Sequence, residues 1–505
     1  MTTTESTAEA ITESTAEPAT EPTATELPRP SPVRMTPRQS AALVALLAAQ
    51  FMLAADFSVL NVALPGVGTA LGFSAGGLQW IATTFALCAA GCTLVFGRVG
   101  DYVGRRRIFV AGMAVLALSS LVGGMADAPT TLLCARALQG LATAAVTPAA
   151  LALLTTAFTE PALRTRALGL NSVMMSSGFS AGAVLGGLLT DVLSWRWAFF
   201  VNVPVALAAI LVVPRVVGAD PARGTRPHGR IDLPGAVLST AGLFAGVYGV
   251  TRAGEYGFDL PAAVCLIASA VLLGTFWLVE SRTADALVPV RVLKKPDVAL
   301  GNLAALFIFG GETALIFFTG LYVQDVLGLS SLAAGLVLLG IGVGQIIAGA
   351  LGPRILRRVS PRTLLGLSLT LQGAFMLPVV AAGSDPRWLV PLIATQFVNA
   401  FFSMTAALSF MVIVTSSAAV GEQGMATGMA TESQQVGMAI GIPLTSALSV
   451  AVAGPAVPGV AARLTGIHTA VGVTAVCQLV AGPLIWTALR KAAGKRRRPG
   501  ARRAA

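Results

Sequence analysis

The chain has 505 residues, of which 55% are hydrophobic and only 11% are charged, and its mean hydropathy is +0.78. Ordinary globular proteins carry roughly 25% charged residues, so this composition excludes a soluble enzyme and indicates a protein with many membrane spans. The net charge of +11 could suggest nucleic-acid binding, and the positions of the basic residues decide that question below.

Residues 1–38 are polar and repetitive, with the segment TESTAE occurring twice. They contain no apolar run of the kind found in a signal peptide. We therefore interpret them as a disordered cytoplasmic tail.

From Ser40 onward, apolar segments long enough to cross about 30 Å of hydrocarbon follow one another. Each is predicted to be a helix, because backbone hydrogen bonds in lipid must be made within the segment. The fourteen predicted spans are 41–65, 78–97, 108–127, 130–156, 167–190, 197–217, 233–251, 261–281, 298–322, 332–352, 362–382, 388–416, 425–453 and 465–489.

The basic residues concentrate at alternate ends of these spans. Only Arg196, Arg252, Arg387 and Arg463 fall in predicted outer loops, Arg136 lies inside a span, and the others lie in inner loops or tails. The positive-inside rule then predicts an even number of spans with both termini in the cytoplasm. Topology and anionic lipids account for this distribution, so nucleic-acid binding is the weaker interpretation.

The five cysteines all lie within apolar runs. Cys88 and Cys92 share a helical face, but no carboxylate or histidine lies near them in the sequence. We therefore expect neither a disulfide framework nor a metal site.

The first span ends in AADFSVLNVALPGVG and places Asp56 near mid-membrane, with Asn61 in the same segment. A carboxylate at that depth costs several kcal/mol unless it is paired, wetted or protonated, and it is a functional candidate for that reason. The alternative is a carboxylate that only hydrogen-bonds a neighbouring helix.

The loop between the second and third spans reads GRVGDYVGRRRIF. Its glycines permit a tight turn, and its aspartate can cap a helix or pair with arginine. The spacing G-x3-D-x2-G-x-R-R resembles the signature loop of the major facilitator superfamily, although Tyr102 stands where that family usually has Lys or Arg. The resemblance implies a conformational-gating motif formed by Gly97, Arg98, Asp101, Gly104, Arg106 and Arg107.

The fourth span contains ARALQG, which resembles the R-x2-Q-G element of the same superfamily and puts Arg136 and Gln139 on one helical face. Counted from the outer surface, Arg136 lies about six residues deep and Asp56 about nine, so their depths differ by only a few Å at roughly 1.5 Å per residue. The two side chains can therefore form a pair. The alternative is an arginine that pairs only with backbone carbonyls.

In the fifth span, Gly178, Gly182 and Gly186 recur every four residues, with Gly187 beside them, which favours close helix packing. The stripe and the following WRWAFFVNVP resemble the G-x3-G-P-x2-G-G element of drug antiporters and its junction. Ala183 replaces the proline of that element, and this departure weakens the antiport inference more than the fold inference.

The resemblance continues through LYVQDVLGLS (321–330) and GMATGMATESQQVGMAIG (424–441), which look like the fourteen-span branch of drug:proton antiporters. It implies an all-α membrane protein with two six-helix bundles and two extra central helices. The implied regions are 39–217 and 298–489 for the bundles, 218–297 for the linker with the extra helices, and 490–505 for a basic cytoplasmic tail.

Two more acids, Glu312 and Glu432, fall inside the ninth and thirteenth spans, where each could serve function or helix packing. With Asp56 and Arg136 they leave a formal charge of about −2 in the bundle, which favours protons or a cation over an anionic substrate.

We therefore expect a bacterial cytoplasmic-membrane exporter of amphipathic drugs or antibiotics, cationic ones included, that uses the proton gradient and no cofactor. Asp56 is the expected proton-coupling carboxylate, tuned by Arg136. Glu312 is expected as a second acid, with Gln139, Asn61 and Glu432 in the same coupling and substrate machinery. The expected partners are small amphipathic molecules, protons and membrane lipids, and the expected state is a monomer.

Three alternatives stay open at this stage. A permease of the same fold that imports a nutrient is kept open by Ala183. A scaffold that does not transport is opposed by the costly intramembrane charges. A membrane enzyme is the weakest, because no span offers a paired nucleophile and base, and we expect no catalytic residue.

Overall fold

The computed structural model of the protein describes residues 35–73, 75–158, 160–218, 220, 232–283, 290–417, 423–453 and 459–496. All regular structure in these ranges is helical. The predicted disordered tail up to residue 34 and the basic tail from residue 497 lie outside the described residues.

The N-terminal half consists of seven helices, the last two of which lie end to end as one span. They are α1 (Pro37–Leu71), α2 (Ala75–Val103), α3 (Arg105–Gly124), α4 (Pro129–Ala157), α5 (Pro161–Val192), α6 (Trp197–Phe200) and α7 (Asn202–Val216). Helix α1 starts just before the predicted boundary at residue 39 because Thr36 and Gln39 form a reciprocal capping box.

Two helices at the predicted positions follow, α8 (Leu233–Tyr256) and α9 (Leu260–Arg282), and each begins at an aspartate cap. At the cap of α9, the backbone N–H of Ala262 and then the Arg252 guanidinium hold the pKa of the Asp259 carboxyl below its usual value. Helix α8 packs against α9 and α2, whereas α9 buries little of its surface.

The C-terminal half is again a series of helices. Its helices are α10 (Val290–Leu293), α11 (Pro296–Leu321), α12 (Ser331–Arg358), α13 (Pro361–Ala374), α14 (Leu377–Val380), α15 (Leu389–Ser416), α16 (Gln423–Ala453) and α17 (Val460–Arg496). A π-helical turn at Tyr322–Val326 extends α11, and α17 continues past the predicted end of the bundle at residue 489.

Within the described residues, 12 helical segments are long and apolar enough to cross a membrane, and a 13th is counted if α2, bent by 51°, is one span. Helix α16 occupies the remaining predicted span but is not in that count. The fourteen-span count and the cytoplasmic termini stay predictions.

We call the end of the bundle where α1 ends and α2 begins the outer end, following the predicted topology. Each of the four arginines in the predicted outer loops pairs with an acid there. The pairs are Arg196 with Asp127 at 2.9 Å, Arg252 with Asp259 at 2.8 Å, Arg387 with Asp385 at 3.7 Å and Arg463 with Asp325 at 3.4 Å. These four pairs therefore add no net charge to the outer face.

The larger apolar cluster shared by the two halves lies at the outer end, and a smaller one joins α2 and α16 beside α8. One cluster of buried side chains joins Val59 and Ala183 of the N-terminal half to Phe317 and Val337 of the C-terminal half. Toward the inner end, the described residues form two separate clusters, one within each half. The halves are therefore packed together at the outer end.

Hydrogen bonds reinforce this outer closure. The carboxylate of Asp191, at the end of α5, accepts the backbone N–H groups of Ser331 at 3.1 Å and Leu332 at 2.9 Å. It thus caps α12 from the opposite half, where the helix dipole favours a negative charge. Beside it, the Gln324 amide donates to the Val62 carbonyl at 3.0 Å.

Glycines let α5 and α12 approach at this contact. A Cβ added to Gly187 would lie 2.6 Å from the Leu332 Cα, and one added to Gly335 would overlap the Ala183 carbonyl. Both neighbouring groups are backbone, so a side chain at either position must push the helices apart.

Replacing Gly187 with leucine is expected to open the outer end. The distance between spin labels on the outer ends of α5 and α12, in a variant without native cysteines, should increase. Gly169→Leu on the same helix is the matched control, because a Cβ there meets nothing within 4 Å. An unchanged distance in Gly187→Leu would contradict the assignment of this contact as the closure.

Candidate functional site

The centre of the N-terminal half holds an ion pair between α1 and α4. Arg136 Nη1 donates to Asp56 Oδ2 at 2.8 Å, and the two residues are 1% and 2% exposed. Helix α1 is buried over most of its middle turns, so its one acid faces protein on all sides. The depths counted from the sequence allowed this contact, and the structure contains it.

Neutral donors occupy the other carboxylate oxygen. Gln139 Nε2 lies 3.4 Å from Asp56 Oδ1, and Asn202, the first residue of α7, hydrogen-bonds the same oxygen. Both amides also reach the Ser120 hydroxyl of α3, Gln139 at 2.8 Å and Asn202 at 3.2 Å. The network therefore joins four helices around one carboxylate.

Arg136 makes the backbone contact of the alternative interpretation in addition to the pair. Its Nε donates to the Ile81 carbonyl at 3.2 Å, and its Cζ lies 4.2 Å from the centre of the Phe85 ring. A cation over an aromatic face is stabilised further where water is excluded. Gln139 Oε1 accepts from Nη1 at 2.8 Å, so the guanidinium is held on several sides.

Asn61 stands apart from this network. Its Nδ2 donates to the Phe57 carbonyl of its own helix at 2.8 Å, and its buried Oδ1 accepts no hydrogen bond from the described residues. It lies toward the outer end, where its carbonyl faces Gly320 of α11. The structure does not bring Asn61 to Asp56.

The glycine stripe of α5 packs directly behind Asp56. A Cβ on Gly182 would lie 2.7 Å from the Ala55 Cα, and one on Gly186 would lie 2.6 Å from the Val59 carbonyl oxygen. A Cβ on Gly178 would overlap the Phe51 carbonyl in the same way. The three glycines thus face α1, while Gly187 faces α12.

The C-terminal half holds a second buried carboxylate. Glu312 of α11 accepts from Gln345 Nε2 of α12 at 2.7 Å and from Ser403 Oγ of α15 at 2.7 Å. Both donors are neutral, so these contacts satisfy hydrogen bonds without compensating the charge. The hydrogen bonds of Glu312 and those of Asp56 form separate networks, one in each half.

Glu432 lies where the extra helix α8 meets the two halves. It is on α16, which packs against α2 and α8, and it is close enough to Cys92 of α2 to interact electrostatically. Its Oε2 is buried and accepts no hydrogen bond from the described residues. The structure therefore separates it from both of the other acids.

The signature loop is organised by an acid that the sequence did not single out. Asp220 accepts the backbone N–H groups of Arg106 at 3.0 Å and Arg107 at 3.2 Å, and thus caps α3. Gly104 has a φ of +117°, and a Cβ there would overlap the Asp220 carboxylate. Asp101 pairs instead with Arg105 at 3.0 Å.

The remaining loop residues lie close to the same turn. Arg106 Nη1 donates to the carbonyls of Pro214 at 3.1 Å and Val217 at 3.2 Å, which ties α3 to the end of α7. Gly97 and Arg98 lie near the end of α2, where a Cβ on Gly97 would lie 3.9 Å from the Pro148 Cβ of α4. These contacts lie within the N-terminal half and its linker and do not reach the C-terminal half. A role in gating between the halves therefore stays a prediction.

Sequence reasoning named Gln139 but missed the other neutral partners of the two acids. Asn202 was visible in the VNVP junction, but nothing in the sequence shows that it reaches Asp56, 146 positions away. Gln345 and Ser403 are ordinary polar residues in long apolar helices. No group of three or more His, Cys, Asp or Glu side chains in the described part of the chain could hold a metal ion.

The sequence matches the family model of the Major Facilitator Superfamily over residues 46–442 and 303–505. The chain belongs to the major facilitator superfamily. Together with its membrane-spanning helices, this makes it a multi-pass protein of the bacterial cell membrane.

Its curated relatives include proteins named for antibiotic resistance and export. It is 38% identical to the puromycin resistance protein of Streptomyces alboniger over 82% of each chain. It is 36% identical to the cephamycin export protein of Amycolatopsis lactamdurans, over 81% of this chain and 84% of that one. It is 28% identical to the tetracenomycin C resistance and export protein of Streptomyces glaucescens, over 85% of this chain and 80% of that one.

Among solved structures, the nucleoside transporter NupG superposes with a TM-score of 0.63 over 88% of this chain and 99% of that one. The sequence identity is 10%, so this likeness shows the fold alone.

Replacing Arg136 with glutamine should destabilise the protein by about 3–5 kcal/mol, because Asp56 is left as a buried charge without its counterion. Adding Asp56→Asn to that variant should restore part of the loss. Arg105→Gln, which breaks the half-exposed pair with Asp101, is the matched control and should cost less than about 1 kcal/mol. Thermal unfolding in detergent measures the stability of the native protein and the three variants. Equal losses of stability in the two single arginine variants would contradict the prediction.

Proposed function

We propose that the protein exports amphipathic antibiotics or related drugs from the cytoplasm in exchange for protons. The observation that carries this proposal is the buried ion pair of Asp56 and Arg136, in a chain whose relatives are named for antibiotic resistance and export. A buried charge pair in the centre of a transporter half costs free energy, and a role in proton coupling would explain why it is kept.

The geometry supports Asp56 as the coupling carboxylate. A proton added to Asp56 would leave Arg136 as an uncompensated buried cation, so protonation and loosening of the pair must occur together. Loosening would also disturb Gln139 and Asn202, which hold α4 and α7 to the same carboxylate. Protonation at one atom can therefore change the packing of several helices.

Glu312 is suited to a different task. Its described hydrogen bonds come only from neutral donors, so a proton or a cationic group of the substrate would supply the missing positive charge. We assign it to recognition of cationic substrates or to a second proton. Glu432 and Asn61, whose buried oxygens accept no hydrogen bond from the described residues, are secondary candidates.

The closed outer end supports an inward-facing step in the proposed transport cycle. With α5 and α12 joined by Asp191, substrate would load from the inside while Asp56 is ionised and paired. Proton entry from the outside would follow once the outer end opens, and the two halves would rock about the central site. One proton moving inward through 100 mV supplies about 2.3 kcal/mol, enough for about fortyfold accumulation of an uncharged substrate.

The proposal needs no catalytic residue and no cofactor, since the proton gradient is the energy source. Small amphipathic molecules, protons and lipids are the proposed partners, and the proposed working unit is one chain. Nutrient import and a scaffold without transport are outcomes of the experiment below.

Asp56→Asn should abolish uphill efflux while leaving downhill exchange of substrate, because the residue can no longer take up and release a proton. The measurement is efflux of a fluorescent cation, with and without a protonophore, from a bacterial host lacking its own pumps. Asp127→Asn, in an exposed pair with Arg196, is the matched carboxylate control and should pump normally.

Normal protonophore-sensitive efflux by Asp56→Asn would exclude Asp56 as the coupling site. Efflux of no compound from a broad panel that includes puromycin would exclude the exporter itself. Energy-dependent uptake would instead identify an importer.

Glu312→Gln should lower the efflux of a permanently cationic dye at least tenfold and change that of an uncharged amphipathic compound little. The amide keeps the size of the side chain and one acceptor oxygen, so the charge is the main difference. An equal loss for both compounds, with the protein present at its normal level, would contradict a role in cation recognition.

A further inference from the structure

A groove runs along the lipid-facing surface of the N-terminal half between α1 and α7. It encloses about 660 Å³, and all its lining residues except Ser40 are apolar. Alanines leave this space open, with Ala45 and Ala48 on one wall and Ala208 and Ala209 on the other. Ala48 and Ala208 are exposed, so the groove is open to the surrounding lipid.

The groove has the length of a lipid chain in one leaflet. Its lining extends on α1 from Ser40 to Ala48, about 12 Å at 1.5 Å per residue. One leaflet contributes about 15 Å to the hydrocarbon core. A second apolar cavity of about 200 Å³ shares Ala48 and Val205 with the groove and continues toward mid-membrane at Val59.

Arginines stand at the end of the groove that the predicted topology places in the cytoplasm. Arg38 Nε donates to the Val216 carbonyl at 3.0 Å, and Arg215 Nη1 donates to the Leu211 carbonyl. Both side chains are on exposed residues, and each guanidinium has further N–H donors. Arg106 adds a third positive charge, since it donates to carbonyls at the end of α7.

Asp220, an acid near this end, already serves as a helix cap. Asp220 accepts the backbone N–H groups at the start of α3, which leaves the three arginines in excess. A cationic drug would be repelled from such a mouth, whereas a phosphate would be bound by it.

We propose that the groove binds an anionic phospholipid of the inner leaflet, with one acyl chain between α1 and α7 and the phosphate at Arg38 and Arg215. The bound lipid joins the two helices that carry Asp56 and Asn202, so it supports the geometry of their hydrogen bond. This inference concerns the lipid-facing surface of the N-terminal half and does not depend on whether the protein exports drugs.

The test uses purified, delipidated full-length protein and two lipids with identical chains, phosphatidylglycerol and phosphatidylcholine. Native mass spectrometry and thermal unfolding should show tight, stabilising binding of phosphatidylglycerol. A variant with Arg38→Gln and Arg215→Gln should bind phosphatidylglycerol about twenty-five-fold more weakly, since each basic residue near the surface contributes about fivefold. Its binding of phosphatidylcholine should not change.

Arg354→Gln with Arg358→Gln is the matched control, because it removes two charges from the last turns of α12 and leaves the groove intact. It should bind phosphatidylglycerol as the native protein does. A second variant, Ala48→Leu with Ala208→Leu, fills the groove from exposed positions and should weaken phosphatidylglycerol binding with both arginines present.

Equal binding of the two lipids by the native protein would overturn the proposal, because the arginines would then add no selectivity. Unchanged phosphatidylglycerol binding in the groove-filling variant would also overturn it. If the arginine variant does not fold, the comparison of the groove-filling variant with the native protein decides.

Discussion

A membrane interior contains no water to solvate a charge, and the N-terminal half is built around an arginine that it cannot expose. Arg136 receives a counterion from α1, an amide oxygen from its own helix, a carbonyl from α2 and an aromatic face. The contacts with α1 and α2 fix the distances of those two helices from α4. The glycines of α5 then let that helix pack against α1 behind the acid.

The two halves share a fold but differ in how they treat buried charge. In the N-terminal half the acid and base neutralise each other, so the site is electrically complete in this conformation. In the C-terminal half, Glu312 has hydrogen bonds but no countercharge in its described contacts. A bound proton or cationic group would supply the missing positive charge, which makes the C-terminal half the more favourable place for a cation to bind.

Much of this architecture could be predicted from the sequence. The lengths of the apolar runs located the spans and the two extra helices, because hydrocarbon thickness fixes how many residues a helix needs. Their similar depths predicted that Asp56 and Arg136 could meet. The small residues at Gly182 and Gly187 predicted close helix contacts, although not that the two would face different helices.

The rest depends on rotation and on long-range approach, which composition does not record. Nothing in the chain shows that Asn202 turns inward at the start of α7, or that Asp220 returns to cap α3 more than 100 positions earlier. Gln345 and Ser403 gain significance only because their helices converge on Glu312. Helix ends were displaced by a few residues because capping side chains such as Thr36, rather than hydropathy, decide where a helix begins.

The position of α8 gives the molecule two unlike flanks. The halves meet along two seams, one between α2 and α16 and the other between α5 and α12. Helix α8 packs over the first seam with Val247 among its buried contacts, and no other described helix packs over the second. A hydrophobic compound diffusing in the bilayer would therefore find the α2–α16 seam covered by α8 and the α5–α12 seam exposed to lipid. Of the two seams, only the second would let such a compound approach directly from the membrane.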